Sequence, residues 1–200
     1  MKKSIIAFAA AGLVLAACGK KDSTAGKTDA KTPQPAAAQP VISKHVFAAT
    51  DSFKTGLGGV YEGYAKIESA LAHDDFAGAQ AAFGSMHGIL HMIQTDGMDS
   101  AATAYWDTLD ASFMKVLHPM ASSPDITGMR EYFADFSPLV LDALEKFGAV
   151  TAVKAYLFHC PMARNNQGAD WLQPDTSILN PYYGKTMAEC GSYIREVHLL

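Results

Sequence analysis

The sequence predicts a mainly α-helical fold, namely an up-down four-helix bundle followed by a small C-terminal β-hairpin and a long clamped loop. Two observations lead to this prediction. Apolar residues recur every three or four positions in four consecutive segments, which is the spacing of one face of a helix. After Gly148 the spacing changes to alternation, which is typical of short strands. Short links between the helices favour antiparallel packing of neighbours.

Each of the four helical segments carries one apolar stripe, and breaks in the periodicity separate them. Turn-forming residues lie at 73–75, 95–97 and 119–124, and Gly148 follows the last segment. Asp75 and Asp125 stand where a helix N-cap is useful. The stripes are Phe53, Leu57, Val60, Tyr64, Ile67 and Leu71; Phe76, Ala79, Phe83, Met86, Leu90 and Ile93; Trp106, Leu109, Phe113, Val116 and Met120; and Met129, Phe133, Phe136, Val140, Ala143 and Phe147.

The predicted hairpin joins two segments that are far apart in the chain. Residues 150–159 are rich in β-branched and aromatic side chains, and residues 193–198 alternate in polarity. Pairing them antiparallel leaves residues 159–191 as a long insert, and such loops in compact domains are usually functional or clamped. Arg130, in the first turn of the fourth helix, is predicted to tie this loop to the bundle.

The N-terminus has the layout of a bacterial lipoprotein signal. Lys2 and Lys3 precede an apolar run at 5–17 that is too short to span a bilayer permanently. The run ends Leu-Ala-Ala-Cys, which resembles a lipobox, so the Cys18 thiol is expected to be acylated, the signal cut off before Cys18, and the new N-terminus acylated as well. Several acyl chains anchor a protein stably where one does not.

These features predict three sections of chain. They are a signal peptide at 1–17, a lipidated cysteine with a flexible tether at 18–45, and a helical-bundle domain with a C-terminal Cys/Met motif at 46–200. Gly19, where inner-membrane lipoproteins carry Asp, favours an outer-membrane anchor facing the periplasm. The formal net charge of −4 and the lack of a basic stripe argue against nucleic acid as a partner.

The predicted chemistry depends on the two cysteines that remain once Cys18 is lipidated. Pairing of the strands would put Cys160 and Cys190 opposite each other at the mouth of the hairpin. Met162 and Met187 lie close by in sequence, and two thiolates with two thioethers suit Cu(I) or Ag(I). His159 would add a nitrogen ligand.

A structural disulfide between the same two cysteines is the alternative, since an exported protein occupies an oxidising compartment. A catalytic cysteine is less favoured, because no base and orienting group accompany Cys160 in sequence. We therefore expect no enzyme. On the second helix, His87 and His91 are four residues apart and form a secondary candidate metal site, with solvated or core-edge histidines as the alternative.

The C-terminal motifs resemble a known family. Residues 159–163, 168–173, 178–184 and 187–191 (HCPMA, GADWLQ, ILNPYYG and MAECG) are similar to the domain of unknown function 3347, and residues 130–148 resemble the preceding segment there. Members of that family occur as exported proteins and as C-terminal domains of periplasmic adaptors of heavy-metal efflux pumps. The resemblance implies a metal-handling role with Cys160, Met162, Met187 and Cys190 as ligands and His159 as a further one.

Together these inferences predict a lipid-anchored periplasmic protein that binds a soft metal, most simply Cu(I), as a buffer, chaperone or accessory to efflux. Its expected partners are the membrane, through Cys18, and a heavy-metal efflux adaptor or another envelope protein. The alternative is a disulfide-clamped protein-interaction module of the cell envelope that holds no metal.

Overall fold

The computed structural model describes residues 45–200, so the predicted signal peptide, Cys18 and nearly all of the tether lie outside the described residues. Four long helices come first: α1 (Asp51–Ala72), α2 (Phe76–Leu90), α3 (Ser100–Ala121) and α4 (Ile126–Phe147). The strands β1 (Ala155–Cys160), β2 (Ala169–Gln173) and β3 (Ser192–Val197) follow. None of the helices within residues 45–200 is long and apolar enough to cross a membrane.

The bundle forms as the periodicity predicts, and three of the four stripes lie almost wholly in the core. Phe76, Ile93 and Val116 are only partly buried, and on α3 Leu117 is buried next to Val116. The Asp75 carboxylate accepts a hydrogen bond from the Gly78 amide at 2.9 Å. Asp125 does the same for Gly128 at 2.8 Å, so both predicted N-caps are confirmed.

The C-terminal region is a three-stranded antiparallel sheet in the order β2-β1-β3, rather than the two-stranded hairpin that was predicted. The pairing of β1 with β3 is confirmed, with His159 opposite Ser192. The prediction missed β2, which pairs with the other edge of β1 from within the insert. Its five residues include Trp171 and Leu172, but they are too few for their periodicity to be distinctive.

Contacts from α1 and α4 position the sheet on the bundle. The Tyr64 hydroxyl accepts a hydrogen bond from the Leu172 amide at 3.0 Å and lies 2.8 Å from the Ser137 hydroxyl. The segment that enters β1 crosses α1 at Gly58, where a Cβ would lie 2.0 Å from the Val150 carbonyl oxygen. A side chain at this position would therefore push the sheet away from the bundle.

Candidate metal centre

Cys160 ends the central strand and is completely buried. Because side chains alternate along a strand, it shares a face of β1 with Phe158. The Phe158 ring stacks on Trp171 at 5.2 Å and meets Tyr193 edge-on at 5.7 Å. Cys160 is therefore held at one end of an aromatic face of the sheet.

Cys190 is delivered by the long loop, which is organised around the buried side chain of Asn180. The Asn180 side-chain amide donates to the Cys190 carbonyl at 2.5 Å, and its oxygen accepts from the amides of Tyr182 and Tyr183 at 2.8 and 3.2 Å. Gly191 then turns the chain into β3 with φ of +149°, and a Cβ there would lie 2.5 Å from the Trp171 ring. The Asn180 side chain and Gly191 thus fix the part of the loop that carries Cys190.

The two cysteine sulfurs lie 3.6 Å apart, and both cysteines are free. Cys190 is half-buried, unlike Cys160. Burial raises the pKa of the Cys190 thiol above its ordinary value, and the neighbouring Cys160 raises it further. Binding of a cation between the sulfurs would have to displace this tightly held proton.

Both methionines of the motif are anchored through their main chains beside the cysteines. The Met162 carbonyl accepts a hydrogen bond from the Tyr183 hydroxyl at 2.6 Å, and the Met162 side chain is 39% exposed. Met187 ends a short 3₁₀ helix (Gly184–Met187), and its carbonyl accepts from the Cys190 amide at 3.0 Å. Each methionine thus has a fixed main-chain position next to one cysteine.

The structure does not bring His159 to the sulfurs. His159 follows Phe158 and precedes Cys160 on a regular strand, so its ring projects from the opposite face of β1. There its Nδ1 atom lies 2.6 Å from a carboxylate oxygen of Asp170, its partner on β2. The expectation of His159 as a further ligand overlooked the alternation that directs consecutive side chains of β1 to opposite faces.

Arg130 ties the loop to the bundle, as its position predicted. The guanidinium donates to the carbonyls of Pro181 at 2.8 Å and Leu71 at 2.6 Å, and to the Asp74 carboxylate at 2.6 Å. This contact holds the pKa of Asp74 below its ordinary value. Asp74 lies in the α1–α2 turn, and nothing in its local sequence indicated this role.

A tight turn that sequence analysis did not detect connects the Cys-Pro-Met motif to β2. In the segment Ala163–Asn166, the residues Arg164, Asn165 and Asn166 all have φ between 53° and 67°. Three successive non-glycine residues in this region are costly. The Arg164 guanidinium binds the Asp135 carboxylate on α4 at 2.6 Å, which ties the turn to the bundle.

The secondary pair, His87 and His91, lies at the C-terminal end of α2, well separated in sequence from the thiols. The two Nε2 atoms are 3.1 Å apart and the rings meet at 81°. Burial lowers the pKa of His87 below its ordinary value, and the charges of His91 and His118 lower it further. Among residues 45–200, no group of three or more His, Cys, Asp and Glu side chains is arranged to hold a metal ion.

A comparison with known protein families finds a match that covers most of the helical bundle. The family described as "Protein of unknown function (DUF3347)" matches residues 60–152, from the middle of α1 to the segment before β1. The match ends before the C-terminal motifs at 159–191 that carry the resemblance. No curated protein and no solved structure shows significant similarity to this chain. Residues 60–152 are thus similar to the DUF3347 family, whose description assigns no activity.

Proposed function

We propose that this chain is a lipid-anchored periplasmic protein that binds Cu(I) between Cys160 and Cys190 and serves as a copper buffer, chaperone or accessory to heavy-metal efflux. One observation carries the proposal: two free thiols from segments thirty residues apart converge to 3.6 Å. Such convergence of soft donors is what a thiophilic ion requires.

The spacing of the sulfurs fits two ligands of one metal ion. Thiolate–metal bonds are about 2.3 Å long, so sulfurs 3.6 Å apart would subtend roughly 100° at the metal. That angle leaves room for one or two further ligands on the same side. A disulfide would instead need the sulfurs to approach to about 2.05 Å.

The thioethers of Met162 and Met187 are the proposed additional ligands. Met162 is partly exposed and two residues beyond Cys160, while Met187 is hydrogen-bonded through its carbonyl to the amide of Cys190. Thioether sulfur binds Cu(I) well and contributes little to a zinc site. His159 is not part of this ligand set, because its ring lies against Asp170 on the other face of β1.

Titration with Cu(I) against a competing chelator tests the proposal. The full chain with Cys18→Ser is used, so that only the two motif thiols are present. One Cu(I) should bind, and Cys160→Ala or Cys190→Ala should weaken binding by at least a hundredfold. The proposal fails if the fully reduced chain binds no Cu(I), or if both alanine variants bind it as tightly as the parent.

The role of the thioethers needs separate variants. The double variant Met162→Leu with Met187→Leu conserves volume, so the fold should change little, while Cu(I) affinity should fall at least tenfold. Met92→Leu is the matched control, since Met92 is 69% exposed and lies just after α2, outside the motif segments. Equal affinity in all three proteins would remove the thioethers from the site.

A second candidate function is a disulfide-clamped interaction module of the cell envelope. The observation that favours it is the complete burial of Cys160 next to a second free thiol. Mass measurement of the chain isolated from the periplasm with its thiols trapped would separate the candidates. A mass two hydrogens short, resistant to mild reductant, would favour the disulfide over the metal.

The proposed anchor is tested independently of the metal. Cells expressing the chain are labelled with a radioactive or clickable palmitate, and the protein is then recovered from separated membranes. Label in the outer-membrane fraction that disappears with Cys18→Ala would support lipidation. An unlabelled wild-type chain would contradict it.

A further inference from the structure

The structure assigns a second, independent metal site to α2: we infer that His87 and His91 chelate a borderline divalent cation, with Cu(II) bound most tightly. The two histidines are four residues apart, so they lie on one face of the helix. Their Nε2 atoms already converge to 3.1 Å. Without a metal this is a hydrogen bond in which one ring donates and the other accepts.

The distance between the two nitrogens matches neighbouring positions around one metal ion. Imidazole nitrogens bind such ions at about 2.0–2.1 Å, so nitrogens 3.1 Å apart would subtend roughly 100°. This lies between the right angle of a tetragonal Cu(II) site and the tetrahedral angle of zinc. A metal can therefore replace the shared proton once both rings rotate to direct their Nε2 lone pairs at it.

The surroundings hold one ring in place and leave the other open. The Phe83 ring stacks on the His87 ring, with centroids 5.5 Å apart and an interplanar angle of 14°. His87 is partly buried by this contact, while His91 is exposed. Solvent can therefore supply the remaining ligands on the outer side, while the stacked ring limits the entropy lost on binding.

The end of the helix adds a favourable electrostatic contribution. His87 is in the last turn of α2 and His91 is its C-cap residue. The C-terminal end of a helix carries partial negative charge on its free carbonyls, which favours a nearby cation. A 2+ ion at this position is stabilised more than the same ion at the middle of the helix.

The nature of the ligands decides which ion binds. Two imidazoles with water ligands suit Cu(II), Ni(II) and Zn(II), and affinity for such a site peaks at Cu(II). This preference differs from that of the thiol site, and neither site supplies ligands to the other. The inference therefore does not depend on the proposed function. With two protein ligands, binding should be moderate and readily reversible.

The experiment uses the full chain without cysteines, carrying Cys18→Ser, Cys160→Ala and Cys190→Ala, so that thiols neither bind nor reduce the metal. Titration with Cu(II) should show one site, and its electron paramagnetic resonance spectrum should show coupling to two nitrogens. His87→Gln and His91→Gln should each weaken binding at least tenfold. His73→Gln, which removes an exposed histidine at the end of α1, is the matched control and should bind as the parent does.

A second readout guards against variants that merely fold poorly. A cation that bridges two side chains of the folded helix stabilises the folded state by mass action, so Cu(II) should raise the melting temperature of the parent and the His73→Gln chain only. The inference is overturned if the double variant His87→Gln with His91→Gln is folded and still binds Cu(II) as the parent does. It is equally overturned if the parent gains neither bound Cu(II) nor stability.

Discussion

The four helices bury long apolar stripes against one another, whereas residues 155–197 combine buried apolar side chains such as Phe158 and Trp171 with a few polar side chains that bind specific backbone groups. In the bundle, residues such as Phe53, Phe133 and Val140 are fully buried and none of them needs a specific partner atom. In the C-terminal region, Asn180 and Arg130 each satisfy several backbone groups at once.

The two regions are therefore expected to respond differently to substitutions. Burial of apolar area is not directional, so the loss of one core side chain lowers the free energy of unfolding of the whole bundle in proportion to the atoms removed. A buried polar anchor acts locally, because its removal leaves donors and acceptors unsatisfied in one place. Cys190 and the proposed ligand Met187 both lie in the C-terminal region, where polar anchors of this kind hold the loop.

The largest effect is expected from the bundle core. Phe136→Ala removes a fully buried ring that packs against the rings of Tyr64 and Phe113, with centroids 5.6 and 5.7 Å away. We expect the free energy of unfolding, measured by urea denaturation, to fall by about 3–5 kcal/mol. Lys115→Ala, an exposed position on α3, should change it by less than about 0.5 kcal/mol. Equal losses in the two variants would contradict the packing described for the core.

The next effect should be confined to the loop. Asn180→Ala removes the group that binds the Cys190 carbonyl and the amides of Tyr182 and Tyr183, at a cost of about 2–3 kcal/mol. Hydrogen exchange should quicken across residues 180–190 and alkylation of Cys190 should accelerate, while the α3 amides exchange as before. Gln167→Ala, exposed and outside this network, should alter neither rate. Faster exchange throughout the bundle would show that the two regions are not separable.

A smaller effect should follow from Arg130→Lys. An ammonium group cannot reach Pro181, Leu71 and Asp74 together as the guanidinium fork does, so we expect a loss of about 1–2 kcal/mol by thermal denaturation. Arg164→Lys is the control, because its ion pair with Asp135 is partly exposed. Such a pair contributes at most about 1 kcal/mol. A larger loss for Arg164→Lys would mean that its left-handed turn, not Arg130, anchors the loop.

The smallest effect concerns one buried carboxyl of α1 and depends on pH. Glu68 is 1% exposed, its Oε1 atom has no hydrogen-bond partner among residues 45–200, and burial raises its pKa well above the ordinary 4.5. The folded state therefore holds the proton more tightly, and its stability is complete below pH 4.5 and declines as pH rises toward the folded pKa. We expect the free energy of unfolding of the parent, measured by urea denaturation, to fall as the pH rises above 4.5, and Glu68→Gln to remove this decline. An identical pH profile for the two proteins would contradict this.

The sequence predicted most of the fold because its signals are local. The stripes of α1 to α4 and the caps Asp75 and Asp125 involve residues within one or two helical turns of each other. The approach of Cys160 to Cys190 was also predictable, since it required only that two alternating segments pair. The link that Arg130 makes between the loop and the bundle was predicted from its position at the start of α4, although the groups that accept its hydrogen bonds were not.

Other features of the candidate site depended on pairings between distant segments. The sequence around Asp170 gives no sign of a strand, so the contact between His159 and Asp170 was not foreseen. The role of Asn180 as the hub of the loop depends on the Cys190 carbonyl, which belongs to a residue ten positions further along the chain. Such contacts depend on how the strands and the loop pack, and no local pattern encodes them.

By itself, therefore, the sequence determined the four helices, their buried faces and the two cysteines that meet at the end of the sheet. Only the tertiary structure decided that the sheet has three strands, that His159 turns toward Asp170, and that the nitrogens of His87 and His91 converge. The physical reason is the same in each case. Periodicity specifies which face of an element is buried, whereas the partner across that face is selected by packing among all the elements at once.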